Sequence, residues 1–363
     1  MNYLFELIQL AFGVRLELSG TPTASEWLSL YNEAKKQTVL GIIIDGLEKL
    51  PKNQIPEELL FQWIGDSQVI GQQNELHISV LKKTYKCLRD DDIPVAFMKG
   101  LVCGSRYPNP KRRQCGDIDF VVSEKDFSNT LDALDTIGQV DRSLIHEHHG
   151  MAFVDGVTLE PHYKVHNFQN PSVDEAMQKM FEEVFPQKLI EVEIGGEMIP
   201  VFPPTFECAI LIGHMVNHVY AEGLGLRQVV DLMMFIQKEY EALKLEECQR
   251  YLKMMKMERA FRLFACVCEK YLGMSHELLY LEYNAKEKEF AVKLMADILE
   301  VGNFGMGADY IGKEKVLRPL RSYMWVVGRC IKLGYLCPAE ARWWPVSKLY
   351  RYCWKKRNHS YKF

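Results

Sequence analysis

The sequence predicts an α+β fold in which a small mixed β-sheet lies between two helical segments. Residues 1–90 show the apolar spacing of helices, and helical spacing returns from Thr205 onward. Between these segments, short apolar runs alternate with glycine turns, which is typical of strands and hairpins. We therefore divide the chain into an N-terminal helical segment (1–90), an α/β core (91–202), a C-terminal helical domain (203–310) and a basic, aromatic-rich tail (311–363).

The N-terminal segment contains a helix that begins at a capping box. Thr23 precedes Glu26 by three residues, ahead of the apolar-periodic stretch WLSLYNEAKK. Pro51 and Pro56 interrupt the helical pattern, and residues 57–89 resume it. We expect helices on both sides of this proline-containing turn.

The core opens with an apolar strand, Ile93–Met98, which is followed directly by Lys99 and Gly100. An Asp-Gly or Gly-Gly pair between two alternating apolar runs is a strong signal for a β-hairpin. The elements predicted next are a short helix (101–107), a basic loop with Pro108 and Pro110, a strand (117–122), a helix from Ser123 to about Gly138, and hairpins turning at Asp155-Gly156 and Gly195-Gly196.

Composition and length are those of a globular protein. Of 363 residues, 48% are hydrophobic, 25% are charged and 11% are aromatic. No apolar run approaches the ~20 residues that cross a bilayer, and the stretch MNYLFELIQLAF predicts a helix rather than a signal peptide. None of the ten cysteines forms a Cys-x-x-Cys pair, so we expect no structural zinc site and a reduced, cytoplasmic location.

Two aspartates in the second strand of the core are the first candidate for chemistry. Asp117 and Asp119 are two residues apart, so a strand projects both carboxylates from one face, and Gly116 leaves room for a ligand. Like charges on one face repel each other, whereas Mg²⁺ binds such a pair of oxygen ligands well. We expect Glu160 to be the third ligand and His162, on the same face of its strand, to contact the metal's ligands or the substrate.

Basic residues near these carboxylates predict a site for phosphate groups. Lys99 and Gly100 follow a strand and begin a helix, where free backbone N–H groups and a positive charge favour an anion. Arg106, Arg112 and Arg113 lie close by in sequence and can clamp further phosphate oxygens. An ordinary strand-to-helix turn is the alternative interpretation of Lys99-Gly100.

The order and identity of these motifs resemble those of the DNA polymerase beta-type nucleotidyltransferase superfamily. The combination of FMKG, RY, GDIDFVV, LEPHY and HMVNH…LRQVVDLMMF is most similar to a branch of uncharacterised bacterial nucleotidyltransferases, over residues 90 to about 235. The wider superfamily has Gly-Ser at the phosphate turn, whereas this chain has Lys-Gly.

This resemblance implies a nucleotidyltransferase-like core and a two-metal reaction. Asp117 and Asp119 would hold two Mg²⁺ ions, with Mn²⁺ as a substitute, and Glu160 would bind the ion that activates the acceptor. Arg227 and Asp231 become candidates for the wall of the nucleotide pocket, although their i, i+4 spacing also allows them to pair with each other.

The implied function is transfer of an NMP from an NTP, such as ATP, to an unknown hydroxyl acceptor with release of pyrophosphate. The acceptor can be a small molecule, a sugar, a protein or an RNA. A phosphotransferase that uses the same acids is one alternative. A catalytically inactive nucleotide- or RNA-binding module is another, and a position of Glu160 away from the two aspartates would favour it.

Two further features have a functional and a structural interpretation. His214 and His218 have a helical His-x-x-x-His spacing, which can bind zinc, but the glutamate of a zinc protease motif is missing. Packing or hydrogen bonding is the more typical role, and contact with the substrate is the alternative. The tail carries 13 basic and 2 acidic residues, with Trp343, Trp344 and Trp354 among them. It therefore suits an anionic partner such as RNA or a membrane surface, or it packs on the acidic body of the protein.

Overall fold

A computed structural model describes residues 2–51, 54–145, 148–307 and 318–358. These residues confirm the predicted α+β class, because they form helices around one seven-stranded mixed sheet. The helices are α1 (Asn2–Ala11), α2 (Ala24–Lys36), α3 (Leu40–Leu47), α4 (Glu57–Asp90), α5 (Gly100–Gly104), α6 (Phe127–Asp135), α7 (Pro171–Val184), α8 (Pro204–Ala221), α9 (Leu226–Glu239), α10 (Leu245–Met254), α11 (Glu258–Val267), α12 (Ala285–Val301), α13 (Arg318–Leu333) and α14 (Pro338–Asn358). The strands are β1 (Ala96–Met98), β2 (Ile118–Val121), β3 (Gln139–Val140), β4 (Ala152–Val154), β5 (Val157–His162), β6 (Ile190–Ile194) and β7 (Glu197–Val201).

The sheet has the strand order β3-β4-β5-β2-β1-β7-β6. Most neighbouring strands are antiparallel, but β2 and β5 are parallel, as are β1 and β7. The three central strands β1, β2 and β5 are lined up so that the end of β1 and the middle of β2 and β5 lie side by side. This alignment is what gathers the charged residues of the core.

The structure confirms the helix cap and the hairpin turns that short sequence motifs predict. Thr23 and Glu26 form both hydrogen bonds of a capping box at the start of α2. Both hairpins turn where the glycines predict, since β4 and β5 flank Asp155-Gly156 and β6 and β7 flank Gly195-Gly196. The first core strand is shorter than predicted, at three residues, and the sequence pattern missed β3 and α7.

Two hydrophobic clusters stabilise the fold. One cluster fills the space around the sheet and the helices that cover it. The other, larger cluster connects the N-terminal helices with α8 to α14, and it includes Trp27, Trp63 and Phe206. Helix α8 is buried around most of its circumference, which explains why its sequence is apolar on nearly every face. In the described part of the chain, no helix combines the length and apolar character needed to cross a membrane.

The two tail helices pack partly on the body of the protein. Trp325 donates its indole N–H to the carbonyl of Ala221, and Arg329 forms a buried ion pair with Asp297 at 2.7 Å. Glu340, at the start of α14, is fully buried. These contacts agree with the packing interpretation for part of the tail. The remaining tail residues 311–317 and 359–363, and the side chain of Trp354, lie outside what the structure describes.

Candidate active site

One cavity of about 390 Å³ lies where β1, β2 and β5 face α8 and α9. It is lined by ten of the twelve residues that the sequence and the resemblance predict for the metal and nucleotide site. These are Lys99, Gly100, Arg113, Gly116, Asp117, Asp119, Glu160, His162, Arg227 and Asp231. Residues from four separate stretches of sequence therefore meet in one place.

The carboxylates come together because of the parallel pairing between β2 and β5. Asp119 and Glu160 are direct neighbours across the two strands, so their side chains share one face of the sheet. Asp117 precedes Asp119 by two residues, and His162 follows Glu160 by two, so strand periodicity favours the same face for them. His162 Nε2 lies 3.0 Å from Asp119 Oδ1 and 3.7 Å from Glu160 Oε2.

Lys99 provides a positive charge inside this acidic cluster. Its Nζ donates to Asp119 Oδ1 at 2.9 Å, and both side chains are buried. Lys99 has a φ of +55°, which is unusual for a residue other than glycine, and it directly follows β1, beside Asp119 on β2. The repulsion between the two aspartates is thus reduced by a lysine of the chain itself, which the sequence analysis assigned only to phosphate groups.

The turn at Gly100 requires glycine. Its φ is +26°, and a Cβ at this position would lie 3.2 Å from the backbone oxygen of Asp117. A larger residue would push the start of α5 away from the start of β2. Gly100 therefore keeps Lys99 close to the aspartates.

The pKa values of the four ionisable groups in this cluster are shifted in different directions. The groups are Lys99, Asp117, Asp119 and Glu160. Burial opposes ionisation of Asp119, but the charge of Lys99 and the hydrogen bond from His162 outweigh it and lower the pKa of Asp119. The same pairing with Asp119 outweighs burial and raises the pKa of Lys99. At Glu160, burial and then the charges of Asp119 and Asp117 outweigh the charge of Lys99 and raise the pKa to about 8. The charge of Asp119 also raises the pKa of Asp117.

These side chains suit a divalent cation. One ligand atom from each of Asp119, Glu160 and His162 lies within 4.8 Å of the other two. The negative charge of Asp119 contributes to the raised pKa values of both Glu160 and Asp117, and a cation would offset that charge. Carboxylate oxygens are the ligands that Mg²⁺ and Mn²⁺ prefer. The donor set therefore fits the predicted metal.

The opposite wall of the cavity carries two arginines in different situations. Arg113 forms a bidentate pair with Asp231, with both N–O distances at 2.7 Å, and Tyr107 donates to the same carboxylate. Asp231 therefore pairs with Arg113 and not with Arg227, because the loop before β2 crosses α9 at this point. Arg227 donates to the backbone oxygen of Gln114 at 2.8 Å.

Arg227 is the cation of this wall that is left without a carboxylate. Among the described residues it forms no ion pair, and its buried Nε has no hydrogen-bond partner. Burial lowers its pKa, which means that the charge is poorly solvated. A half-buried guanidinium that faces a cavity is well placed to bind an anion.

Arg106 and Arg112 are predicted site residues that do not line the cavity. The Arg106 guanidinium is buried in a bidentate pair with Glu207 and also donates to Glu239 at 2.8 Å. These two glutamates take up its charge, so its position corrects the expectation that it clamps phosphates. Arg112 pairs with Asp45 and Glu48 away from the cavity.

Sequence reasoning missed most of the histidines of this cavity. Six of the ten histidines in the chain contribute to its wall, and they are His148, His149, His162, His166, His214 and His218. His214 and His218, which the spacing assigned to packing, have their Nε2 atoms 3.1 Å apart at the cavity. The dense run His146-Glu-His-His149 was the signal in the sequence that pointed to the missed residues.

The C-terminal helix also reaches the cavity. Trp344 and Arg351 of α14 contribute to its wall, and Arg351 donates to the side chain of Gln169 at 2.8 Å. The buried carboxylate of Glu340 accepts the backbone N–H groups of Gln169 and Asn170 and so fixes this contact. Part of the basic, aromatic tail is therefore a component of the candidate site.

Comparison with known proteins gives a family for the chain. A protein-family profile described as "Uncharacterised nucleotidyltransferase" matches residues 23–273. Among solved structures, the chain is similar to an antigenic nucleotidyltransferase-like protein from Paracoccidioides brasiliensis, with 13% identity and a TM-score of 0.32 over 57% of this chain and 96% of that one. No curated protein matches the chain.

The profile match confirms the resemblance to the uncharacterised nucleotidyltransferases. The link to the wider DNA polymerase beta-type superfamily and to a bacterial branch stays a prediction. The profile covers more than two thirds of the 363 residues. The chain therefore belongs to the uncharacterised nucleotidyltransferase family.

Proposed function

We propose that the protein transfers an NMP from an NTP to a hydroxyl acceptor, with Mg²⁺ as cofactor and pyrophosphate as the second product. The observation that carries this proposal is the cross-strand pair of Asp119 and Glu160, with Asp117 beside it. The pair opens into a cavity whose opposite wall holds Arg227. Acidic ligands on one side and a half-buried cation on the other suit a metal-bound triphosphate.

Asp117, Asp119 and Glu160 would hold the metal, and Mn²⁺ can replace Mg²⁺ with these ligands. When bound, the metal would stabilise the negative charge on the attacking and leaving oxygens. Asp119 is ionised by virtue of its low pKa and is ready to bind a cation. Glu160, with its pKa near 8, would have to lose a proton on binding the metal.

Arg227 would bind the phosphates of the nucleotide. It is poorly solvated and has no carboxylate partner among the described residues, so a phosphate oxygen would supply the missing interaction. Arg113 also lines the cavity, but its pairing with Asp231 makes it a positioning residue for α9. Lys99 would partly neutralise Asp119 and add positive charge beside the triphosphate.

The alternatives differ in their products. A phosphotransferase with the same acids would release NDP instead of pyrophosphate. An inactive binding module would release neither, but the position of Glu160 next to Asp119 does not favour it.

The test is a product assay with each of the four NTPs, Mg²⁺ and acceptor pools of small molecules, sugars, RNA and protein. We expect pyrophosphate release and label transfer from an α-labelled NTP with one pool, and loss of both in Asp119→Asn. Asp155→Asn is the matched control, because Asp155 lies in an exposed hairpin turn where asparagine is also accepted. NDP as the product would contradict nucleotidyl transfer, and so would full activity of Asp119→Asn.

A further inference from the structure

Three histidine rings converge beside the carboxylates. One nitrogen atom from each of His148, His149 and His162 lies within 4.8 Å of the other two. His148 Nε2 and His149 Nδ1 are 3.0 Å apart, and the three ring centroids are separated by 4.3 to 5.4 Å. Two nitrogens bound to one tetrahedral Zn²⁺ are about 3.3 Å apart. The spacing of the rings is therefore close to that of ligands around a single ion.

The backbone holds these rings in place. His149 forms a β-bridge with His162 at the end of β5. Tyr163 donates its backbone N–H to the carbonyl of His148 at 2.9 Å, and Gly150 donates to Pro161 at 2.9 Å. These backbone hydrogen bonds leave the imidazoles out, so the sheet fixes the positions from which the three side chains extend. Such preorganisation favours ligand binding over random contact.

The hydrogen bonding within the cluster is incomplete. His148 Nδ1 is buried and has no hydrogen-bond partner among the described residues. The His148 and His149 rings can share only one proton between the two nitrogens that face each other.

We propose that His148, His149 and His162 form a binding site for a first-row divalent cation of the Zn²⁺ and Co²⁺ class. Imidazole nitrogens select such ions, whereas Mg²⁺ takes oxygen ligands. The site is next to the Asp119–Glu160 pair but differs from it in donor chemistry, and His162 lies between the two sets. This inference goes beyond the proposed function and does not depend on it.

The test is a calorimetric titration of Zn²⁺ into the full-length protein, stripped with EDTA and dialysed, in an excess of Mg²⁺. The excess of Mg²⁺ competes with Zn²⁺ for oxygen ligands, and the histidine variants show whether the imidazoles bind the Zn²⁺. We expect one Zn²⁺ per chain, and a Kd at least about 100-fold higher in His148→Asn/His149→Asn. Titration with Co²⁺ should give visible absorption bands of a nitrogen-bound ion in the wild type and lose them in the double variant.

Two controls locate the site. His276→Asn removes an exposed histidine on a distant turn, and His214→Asn removes one ring of the His214–His218 pair on the opposite wall. Both should bind Zn²⁺ as the wild type does. Thermal unfolding of each variant shows whether the fold is retained. The single variants His148→Asn and His149→Asn each remove one ligand, so that loss of a ligand can be separated from loss of the fold.

Three results would overturn the proposal. They are the absence of saturable Zn²⁺ binding, unchanged binding in the double variant, and loss of binding in His214→Asn, which would move the site to α8. Because no nucleotide is present in these titrations, their outcome leaves the test of nucleotidyl transfer unaffected.

Discussion

At the scale of single residues, Asp119 has the most specialised environment in the cavity. It is buried, it accepts from both Lys99 and His162 through one oxygen, and its pKa is lowered. Glu160, its neighbour across the strands, has a raised pKa of about 8. Two adjacent carboxylates with opposite pKa shifts are typical of functional sites, since structural ion pairs usually stabilise both charges.

Arg227→Gln should weaken binding of an NTP analogue about 10- to 100-fold, because a half-buried cation without a carboxylate partner is lost from the cavity wall. The Kd is measured by calorimetry in the presence of Mg²⁺. Arg142→Gln is the matched control, as Arg142 is exposed and pairs with Asp132 and Asp135 on the surface. Equal affinity in Arg227→Gln and the wild type would remove Arg227 from the nucleotide site.

At residue level, strand periodicity predicts which side chains lie close together, while their roles as ligands stay a prediction. Asp117 and Asp119 follow directly from the period of two in a strand, and Glu160 and His162 follow in the same way. The role of Arg106 could not be predicted, because Glu207 and Glu239 are more than one hundred positions away in sequence. Only the tertiary fold decides which arginine meets a carboxylate.

At the scale of elements, the register between β2 and β5 is the feature that creates the candidate site. The parallel pairing places Asp119 opposite Glu160 and Val121 opposite His162. The hairpins were predictable because their turn residues are local. In contrast, the 35 residues between β2 and β5 include a helix and two strands. The sequence holds no local signal for their direction or register, which depend on packing of the whole sheet.

The ion pairs of Arg106 connect secondary-structure elements, because Arg106 follows α5 and pairs with Glu207 on α8 and Glu239 on α9. Arg106→Met should lower the free energy of unfolding by about 3–5 kcal/mol, because the carboxylate of Glu207 is left buried without a partner. Denaturant unfolding measures this change. The double variant Arg106→Met/Glu207→Leu should recover part of the loss. A change below about 1 kcal/mol in the single variant would show that the pair is dispensable.

At the scale of the whole molecule, the cavity is assembled from distant parts of the chain. The sheet provides the carboxylates, α8 and α9 provide histidines and Arg227, and α14 provides Trp344 and Arg351. The α+β class and the succession of helical and mixed segments were predictable from hydrophobic periodicity alone. The contact between α14 and the cavity was not predictable. Composition indicates that the tail is charged and aromatic, but it does not indicate where the tail packs.

Glu340 links α14 to the cavity wall and gives the fold a dependence on pH. Burial raises its pKa to about 7, above the value of about 4.3 expected in the unfolded chain. The folded state therefore holds the proton more tightly, and the stability it contributes is present below about pH 4 and lost as the pH rises through 7.

Glu340→Gln removes this titration. The free energy of unfolding of the variant, minus that of the wild type, should increase when the pH is raised from 4.5 to 8. The increase should be on the order of 3 kcal/mol. Denaturant unfolding at both pH values measures this gain, and effects of the amide that do not depend on pH cancel in the comparison. Glu282→Gln, an exposed position, is the control and should show no such trend. A stability difference that stays constant with pH would contradict the raised pKa of Glu340.

The most direct test of the central claim is calorimetric titration of non-hydrolysable α,β-methylene NTP analogues, with and without Mg²⁺, into the wild type and into Asp117→Asn/Asp119→Asn. We predict binding of at least one analogue to the wild type that requires Mg²⁺ and is lost in the variant. Equal binding by both proteins, or binding that does not depend on Mg²⁺, would contradict a metal–triphosphate site at Asp117, Asp119 and Glu160.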